Sequence, residues 1–240
     1  MKAVVLCAGY ATRLYPLTLE KPKHLLEVKG KPLISHIVEK IPREVEKIFI
    51  VTNDKFYMNF VWWLKKLESK IREKIEIIND NTASNETRLG GIGDLNFAIN
   101  LKDIDDDLLV ILGDNFFSFP LNNFIDFFRK INKTVAGIVE VDKENARKLG
   151  VVEIAEGKIV RIVSFEEKPS EPRTNLASIG IYLFSREDLD KIKEYMETNL
   201  SKDGPGYFVK YLAENKEVYA YKFEGEWHDI GSIEEYEKLK

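Results

Sequence analysis

The sequence has no glutamine, one cysteine, three histidines and three methionines among its 240 residues. The lone Cys7 excludes a disulfide framework and a cysteine-built zinc site. His228 has no second histidine or cysteine near it in sequence with which to form a zinc set. No apolar run approaches the roughly 18 residues that a membrane helix needs, so no membrane partner is expected. The N-terminus enters an apolar, strand-like segment at once, with a single lysine and no small-residue cleavage site. It reads as a strand and not as a signal peptide, which points to the cytoplasm. A basic excess is also missing: 36 Lys and Arg against 40 Asp and Glu leave a formal charge of −4. Nucleic acid is therefore not an expected partner. What remains is a globular composition, 44% hydrophobic and 32% charged. A chain of this length removes roughly 70% of its unfolded surface from water on folding.

Apolar runs of strand length fall at residues 2–6, 47–52, 75–78, 108–112, 134–139 and 179–184. Helix-like stretches lie between them at 32–40, 55–67, 93–100 and 121–130. Continuous apolar strands alternating with helices predict an α/β fold with a parallel sheet covered on both faces. Right-handed crossovers make it a Rossmann-like, doubly wound, mostly parallel sheet. Ligands of such sheets sit beyond the carboxyl ends of strands, so the loops after Leu6, Thr52 and Leu112 are candidate site loops. The second half changes character. Residues 150–154 and 158–165 read as strands around the turn Glu156-Gly157, residues 188–198 and 207–215 as helices, and 217–223 as a last strand. The expected organisation is a single domain over 1–240. It has a first part of about 1–139, an antiparallel insertion of about 140–215, and a closing part of about 216–240.

The loop Leu6-Cys7-Ala8-Gly9-Tyr10-Ala11-Thr12-Arg13-Leu14-Tyr15-Pro16-Leu17-Thr18 follows the first strand. Its small residues let backbone N–H groups approach a ligand, and Arg13 and then Lys23 add cations. That combination suits a polyphosphate, although a plain turn with surface cations has the same spacing. Neither a Walker loop nor a dinucleotide fingerprint is present. Leu112-Gly113-Asp114-Asn115 puts a carboxylate at the end of an apolar strand, suited to Mg2+ near phosphates or to an Asx-turn or helix cap. Phe165-Glu166-Glu167-Lys168-Pro169 reads locally as a charge run before a turn. In Trp227-His228-Asp229-Ile230-Gly231-Ser232, Ser232 with Glu235 suits a capping box for the last helix.

Taken in order, these segments resemble the motifs of the sugar-phosphate nucleotidylyltransferases, the NDP-sugar pyrophosphorylases. Thr12-Arg13-Leu14, Pro16, Thr18 and Lys23-His24-Leu25-Leu26 match the family's phosphate loop. Leu112-Gly113-Asp114 matches its G-D motif, Leu149-Gly150-Val151-Val152 its Y-G-V-V, and Glu166-Glu167-Lys168-Pro169 its E-E-K-P. Ala177-Ser178-Ile179-Gly180-Ile181-Tyr182 is similar to A-x-x-G-x-Y, and Trp227-His228-Asp229-Ile230-Gly231-Ser232 to W-x-D-x-G-T. The look is nearest to the glucose-1-phosphate thymidylyl- and uridylyltransferases. Ala8 and Ala11 stand where the family has glycines, so ordinary backbone angles are expected there.

The resemblance implies transfer of a nucleotidyl group from an NTP to a sugar 1-phosphate, giving an NDP-sugar and pyrophosphate. It implies catalytic roles for Arg13, Lys23, Asp114 and Lys168, and Mg2+ on Asp114 and Asp229. Nucleotide contacts fall to Leu6, Ala8, Gly9, Arg13, Asn79 and Gly90. The insertion becomes the sugar side, with Asn115, Gly150, Glu167, Lys168, Gly180 and Tyr182 at the sugar phosphate. Many relatives read a pyrimidine with a Gln, and in this Gln-free chain Asn79 or Asp80 is its expected substitute. The favoured substrates are glucose 1-phosphate with dTTP or UTP. Mannose 1-phosphate with GTP, an alcohol phosphate with CTP, and a non-catalytic NDP-sugar-binding regulator are the alternatives. The aromatic set Phe56, Tyr57, Phe60, Trp62 and Trp63 suits core packing or the interface of a homo-oligomer better than base stacking. Because the last motif falls near residue 240, a minimal catalytic domain without a C-terminal extension is expected.

Overall fold

A computed structural model describes residues 1–157 and 160–240. Its strands are β1 (Lys2–Leu6), β2 (Glu27–Val28), β3 (Lys31–Pro32), β4 (Ile48–Thr52), β5 (Ile75–Asn79), β6 (Leu108–Leu112) and β7 (Asn115–Phe117). They continue with β8 (Val135–Glu140), β9 (Gly150–Ile154), β10 (Ile162–Glu167), β11 (Leu176–Phe184), β12 (Tyr219–Lys222) and β13 (Trp227–Asp229). Nine of them form the main sheet. β1 lies at its centre, parallel to β4 on one side and β6 on the other, and β5 extends the parallel half beyond β4. Successive residues of β1 face opposite ways. Ala3 and Val5 enter one apolar cluster, Val4 and Leu6 the other. Burial on both faces is why the run is apolar throughout.

Helices cover both faces. The first cluster takes Ile34 and Ile37 from helix Leu33–Lys40, Phe60 and Trp63 from Tyr57–Lys65, and Phe124 and Phe128 from Asn122–Ile131. The second takes Ile92 and Leu95 from Gly91–Leu101, Tyr195 from Lys191–Glu197, and Phe208 and Leu212 from Pro205–Asn215. Each such side chain contributes about 1.5–3 kcal/mol when fully buried. The result is the expected Rossmann-like α/β sandwich. Of the aromatic set, Phe56, Phe60 and Trp63 are in the core, whereas Trp62 is 56% exposed.

The antiparallel insertion is built on β11. Its C-terminal residues pair with β6, while its N-terminal residues pair with β9. β8 runs along its other edge, with a register shift between Ser178 and Tyr182. Gly180 sits in that shift at φ +68°, and a Cβ there would lie 2.6 Å from Leu112 Cδ1. Glycine is required on both counts. β10 returns antiparallel to β9, and Arg161 bridges to Tyr219 of β12, which is parallel to β8. The expected strand from residue 158 begins outside the described residues.

Some elements differ from expectation. The helix expected over 55–67 is a tight turn, Asp54–Phe56, followed by Tyr57–Lys65, and the Asn53 carbonyl oxygen Oδ1 accepts the Phe56 N–H at 3.0 Å. The helix expected over 188–198 is split into Arg186–Leu189 and Lys191–Glu197. Ser232 caps the last helix, accepting the Glu235 N–H at 3.2 Å. Glu235 itself accepts from Gly231 at 2.9 Å, one residue before the cap. The short pair β7–β13 was not expected. It sets Asp229 opposite Asn115 and so carries the last motif to the end of β6. No helix among the described residues is long and apolar enough to cross a membrane.

Candidate active site

The site forms where β1 and β6 end side by side. The Gly113 N–H donates to Leu6 O at 2.9 Å, and a Cβ on Gly113 would collide with Cys7 Sγ. Beyond β1 the loop is held by polar contacts to the loops that follow β4 and β5. Asn53 Nδ2 donates to Ala8 O at 2.8 Å, and the Tyr10 hydroxyl to Thr82 O at 2.8 Å. Leu14 is buried with Leu26, Leu33, Ile230 and Tyr236, which ties the loop to the last helix. Ala11 corrects one expectation. It adopts φ +49°, the left-handed region, and not an ordinary angle. Its carbonyl accepts from Thr18 Oγ1 at 2.9 Å and Leu14 N at 3.0 Å, and these bonds hold the strained residue in place.

Two cavities open above this point. The larger, about 330 Å³, is lined by Arg13, Asn115, Gly150, Glu167, Lys168, Gly180, Tyr182 and Asp229 among others. The smaller, about 210 Å³, is lined by Leu6, Ala8, Gly9, Lys23 and Gly90 among others. Both include Leu112, Asp114, Asp203 and Gly204, so they are two halves of one cleft that meet at Asp114. The residues expected at the sugar phosphate thus line one half. Those expected at the nucleotide line the other, except Arg13, which borders the first, and Asn79, which lines neither. Asn79 is used locally: Nδ2 donates to Asp54 at 2.8 Å, and Oδ1 accepts the Asn81 N–H at 2.9 Å.

Sequence reasoning missed several lining residues, including Asp94, Lys148, Asp203 and Tyr207. Asp94 sits on an otherwise apolar helix face, which was the available signal. Asp203 and Gly204 come from a loop whose carbonyls cap helix Gly91–Leu101. Lys202 O accepts from Ile92 at 3.0 Å, and Asp203 O from Gly91 at 2.9 Å. Only the tertiary fold brings that loop across the cleft.

The electrostatics centre on three groups. Lys23 Nζ donates to Asp114 Oδ2 at 2.7 Å, with the two side chains 11% and 26% exposed. Burial opposes ionisation of both. It is outweighed at Lys23 by the Asp114 and Asp229 carboxylates, so Lys23 titrates above its ordinary value. At Asp114 the Lys23 ammonium outweighs burial and holds the carboxyl below its ordinary value. Asp229 makes no ion pair among the described residues, and Lys23 and Arg13 act on it only from a distance. Burial, then the neighbouring Asp114 carboxylate, push it up to about 7. The donors here are all carboxylate oxygens, and at the second the nearby Lys23 and Arg13 charges do not offset burial and Asp114. That fits a hard divalent cation, which would draw Asp229 into its ionised form. Burial, then Lys23, push His24 down to about 3, so it is neutral. Cys7 is buried and its thiol is raised well above its ordinary value, so it is inert as a nucleophile. Trp227 Nε1 donates to Asn115 Oδ1 at 2.8 Å, and Asn115 Nδ2 donates to Leu112 O at 3.0 Å. Asn115 is thereby fixed in orientation at the junction of the halves.

The profile of the nucleotidyl transferase family matches residues 2–240. Mannose-1-phosphate guanylyltransferase 1 of Arabidopsis thaliana is 34% identical over 242 residues, covering 98% of this chain and 63% of the relative. The bifunctional protein GlmU of Methanocaldococcus jannaschii is 30% identical over 235 residues, covering 96% of this chain and 51% of the relative. The chain therefore spans between about half and two thirds of these curated relatives. Among solved structures, a UDP-glucose pyrophosphorylase complexed with UDP-glucose is similar, with a TM-score of 0.84 and 26% identity. That match covers 99% of this chain and 96% of the other.

Proposed function

The chain belongs to the nucleotidyl transferase family, and from that premise we propose that it transfers a nucleotidyl group from an NTP to a sugar 1-phosphate, releasing pyrophosphate. The observation that carries this reading is the cleft of two halves meeting at Asp114, with Lys23 on it and Asp229 beside it. An oxygen of the sugar phosphate attacks the α-phosphorus. A new O–P bond forms, the bond to the bridging β-oxygen breaks, and pyrophosphate leaves with that electron pair. The attacking oxygen is already anionic, so no general base is needed, and catalysis reduces to positioning and charge neutralisation.

Lys23 faces the α-phosphoryl oxygens, and Arg13 the departing pyrophosphate. Lys168, at the rim of the larger half, neutralises the incoming sugar phosphate. Glu167, whose carboxyl burial holds above its ordinary value, accepts from sugar hydroxyls. Asp114 and Asp229 would hold Mg2+, which when bound supplies charge neutralisation to the reacting phosphates. The work is assigned to the cytoplasm.

Glucose 1-phosphate with dTTP or UTP is the favoured pair. Product chromatography over a panel of NTPs and sugar phosphates tests it, and the matching NDP-glucose is the expected product. Product only from mannose 1-phosphate with GTP, or only from an alcohol phosphate with CTP, replaces the substrates and keeps the reaction. No product from any pair leaves a non-catalytic NDP-sugar binder.

A further inference from the structure

The smaller half of the cleft contains a carboxyl group that the transfer chemistry does not use. Asp94, on helix Gly91–Leu101, is 5% exposed and lines the same cavity as Gly9, Lys23, Arg88 and Gly90. Among the described residues its Oδ1 is shut off from solvent and meets no N–H or hydroxyl donor. Its acidic neighbour is Asp80, 4% exposed. Asp80 is already committed as an acceptor, taking the Thr82 N–H at 2.7 Å and the Thr82 hydroxyl at 2.8 Å. Two adjacent buried carboxyls do not both ionise. Burial, then the charge of Asp80, push Asp94 up to about 8, so Asp94 keeps the proton and donates it to Asp80. The Asp94 carboxyl is then neutral, and its oxygen not used on Asp80 is a carbonyl-like acceptor. A buried acceptor left unmet is costly, so the ligand that fills the cavity is expected to bring a donor. Arg88 borders the same cavity. Its guanidinium bonds Asn85 O at 3.0 Å and Asp203 at 3.2 Å and carries further N–H groups.

We propose that Asp94 selects the nucleotide by its base: the carboxyl oxygen not used on Asp80 accepts a ring N–H while Arg88 donates to the adjoining carbonyl, so the site takes lactam-edged bases and rejects amino-edged ones. Guanine, uracil and thymine present a ring N–H beside a carbonyl. Cytosine and adenine present a bare ring nitrogen there, which sets acceptor against acceptor. The assignment rests on the transfer reading above.

The test is initial-rate kinetics of wild type, Asp94→Asn and Asp94→Ala with ATP, CTP, GTP, UTP and dTTP at a fixed sugar phosphate. The GTP arm separates the purine from the pyrimidine lactams. Wild type should prefer the lactam NTPs in kcat/KM by on the order of a hundredfold or more. Asp94→Ala should narrow that preference to within about tenfold, through KM and with kcat little changed. Asp94→Asn keeps an acceptor oxygen and an N–H for Asp80, so it should restore the wild-type preference. A wild type that prefers CTP or ATP, an Ala variant with the wild-type preference, or an Asn variant as indiscriminate as Ala overturns the proposal. If wild type turns over none of the five with glucose 1-phosphate, mannose 1-phosphate or an alcohol phosphate, the transfer reading fails. Equilibrium binding of the same NTPs then decides Asp94 alone, and an unchanged ratio in Asp94→Ala overturns its role.

Discussion

Asp94→Asn also tests the shared proton through stability. Burial and then Asp80 raise Asp94 from 3.8 to about 8. The fold therefore keeps a proton that the unfolded chain releases near pH 4. Stability from this group is full below about pH 4, falls as the pH rises, and is lost by about pH 8. One pKa unit corresponds to about 1.4 kcal/mol. The loss is thus about 1.4 kcal/mol per pH unit, with an upper bound of about 5–6 kcal/mol over the window, because the two carboxyls titrate as a pair. Asparagine has the shape of the protonated acid and donates its amide N–H to Asp80 at every pH, so the variant lacks this slope. Urea unfolding of both proteins at about pH 5, 6, 7 and 8 isolates the effect of the pair, since subtraction cancels the titrating groups other than Asp94 and Asp80. The difference should move in favour of asparagine by about 1 kcal/mol per pH unit. A constant difference across that range would mean that Asp94 is already ionised in the fold, and would refute the shared proton.

Other expectations follow from the same geometry. Asp114→Asn should lower turnover at least about a hundredfold while the urea midpoint shows the fold retained, and near-normal pyrophosphate release would contradict its role. Burial, then Asp114, raise Asp229 to about 7, so it ionises as the pH rises through neutrality. The Mg2+-induced rise in Tm should then be small at about pH 6 and large at about pH 8, and this pH dependence should vanish in Asp229→Asn. An equal Mg2+ effect at both pH values in wild type counts against Asp229 as a ligand. Ala11 holds φ +49°, so Ala11→Gly should stabilise the protein by about 0.5–1 kcal/mol in urea unfolding. A loss of stability there would mean that the methyl packs better than the backbone strains.

The parallel half was legible because burial on both faces makes β1, β4 and β6 continuously apolar, and their ends mark the site. The separate motifs were legible because each matches a pattern by itself. The pair β7–β13 was not, since two three-residue strands carry no periodicity and gain their partner only across 112 residues of chain. Asp203 was hidden for the same reason: it reaches the cleft through backbone bonds to a distant helix N-terminus. Ala11 in the left-handed region defied its residue type because two hydrogen bonds hold its carbonyl. Asn79 was a local guess for the missing glutamine. Its amide is spent on Asp54 and the Asn81 backbone, and it borders neither half of the cleft, whereas Asp94 on the next helix borders one.

The most direct test of the central claim is pyrophosphate release, measured with NTP and sugar 1-phosphate together, with each alone, and with both in the Asp114→Asn protein. Release that requires both substrates and falls at least about a hundredfold in the variant is the predicted result. Absence of release from every wild-type mixture, or equal release in the variant, would contradict it.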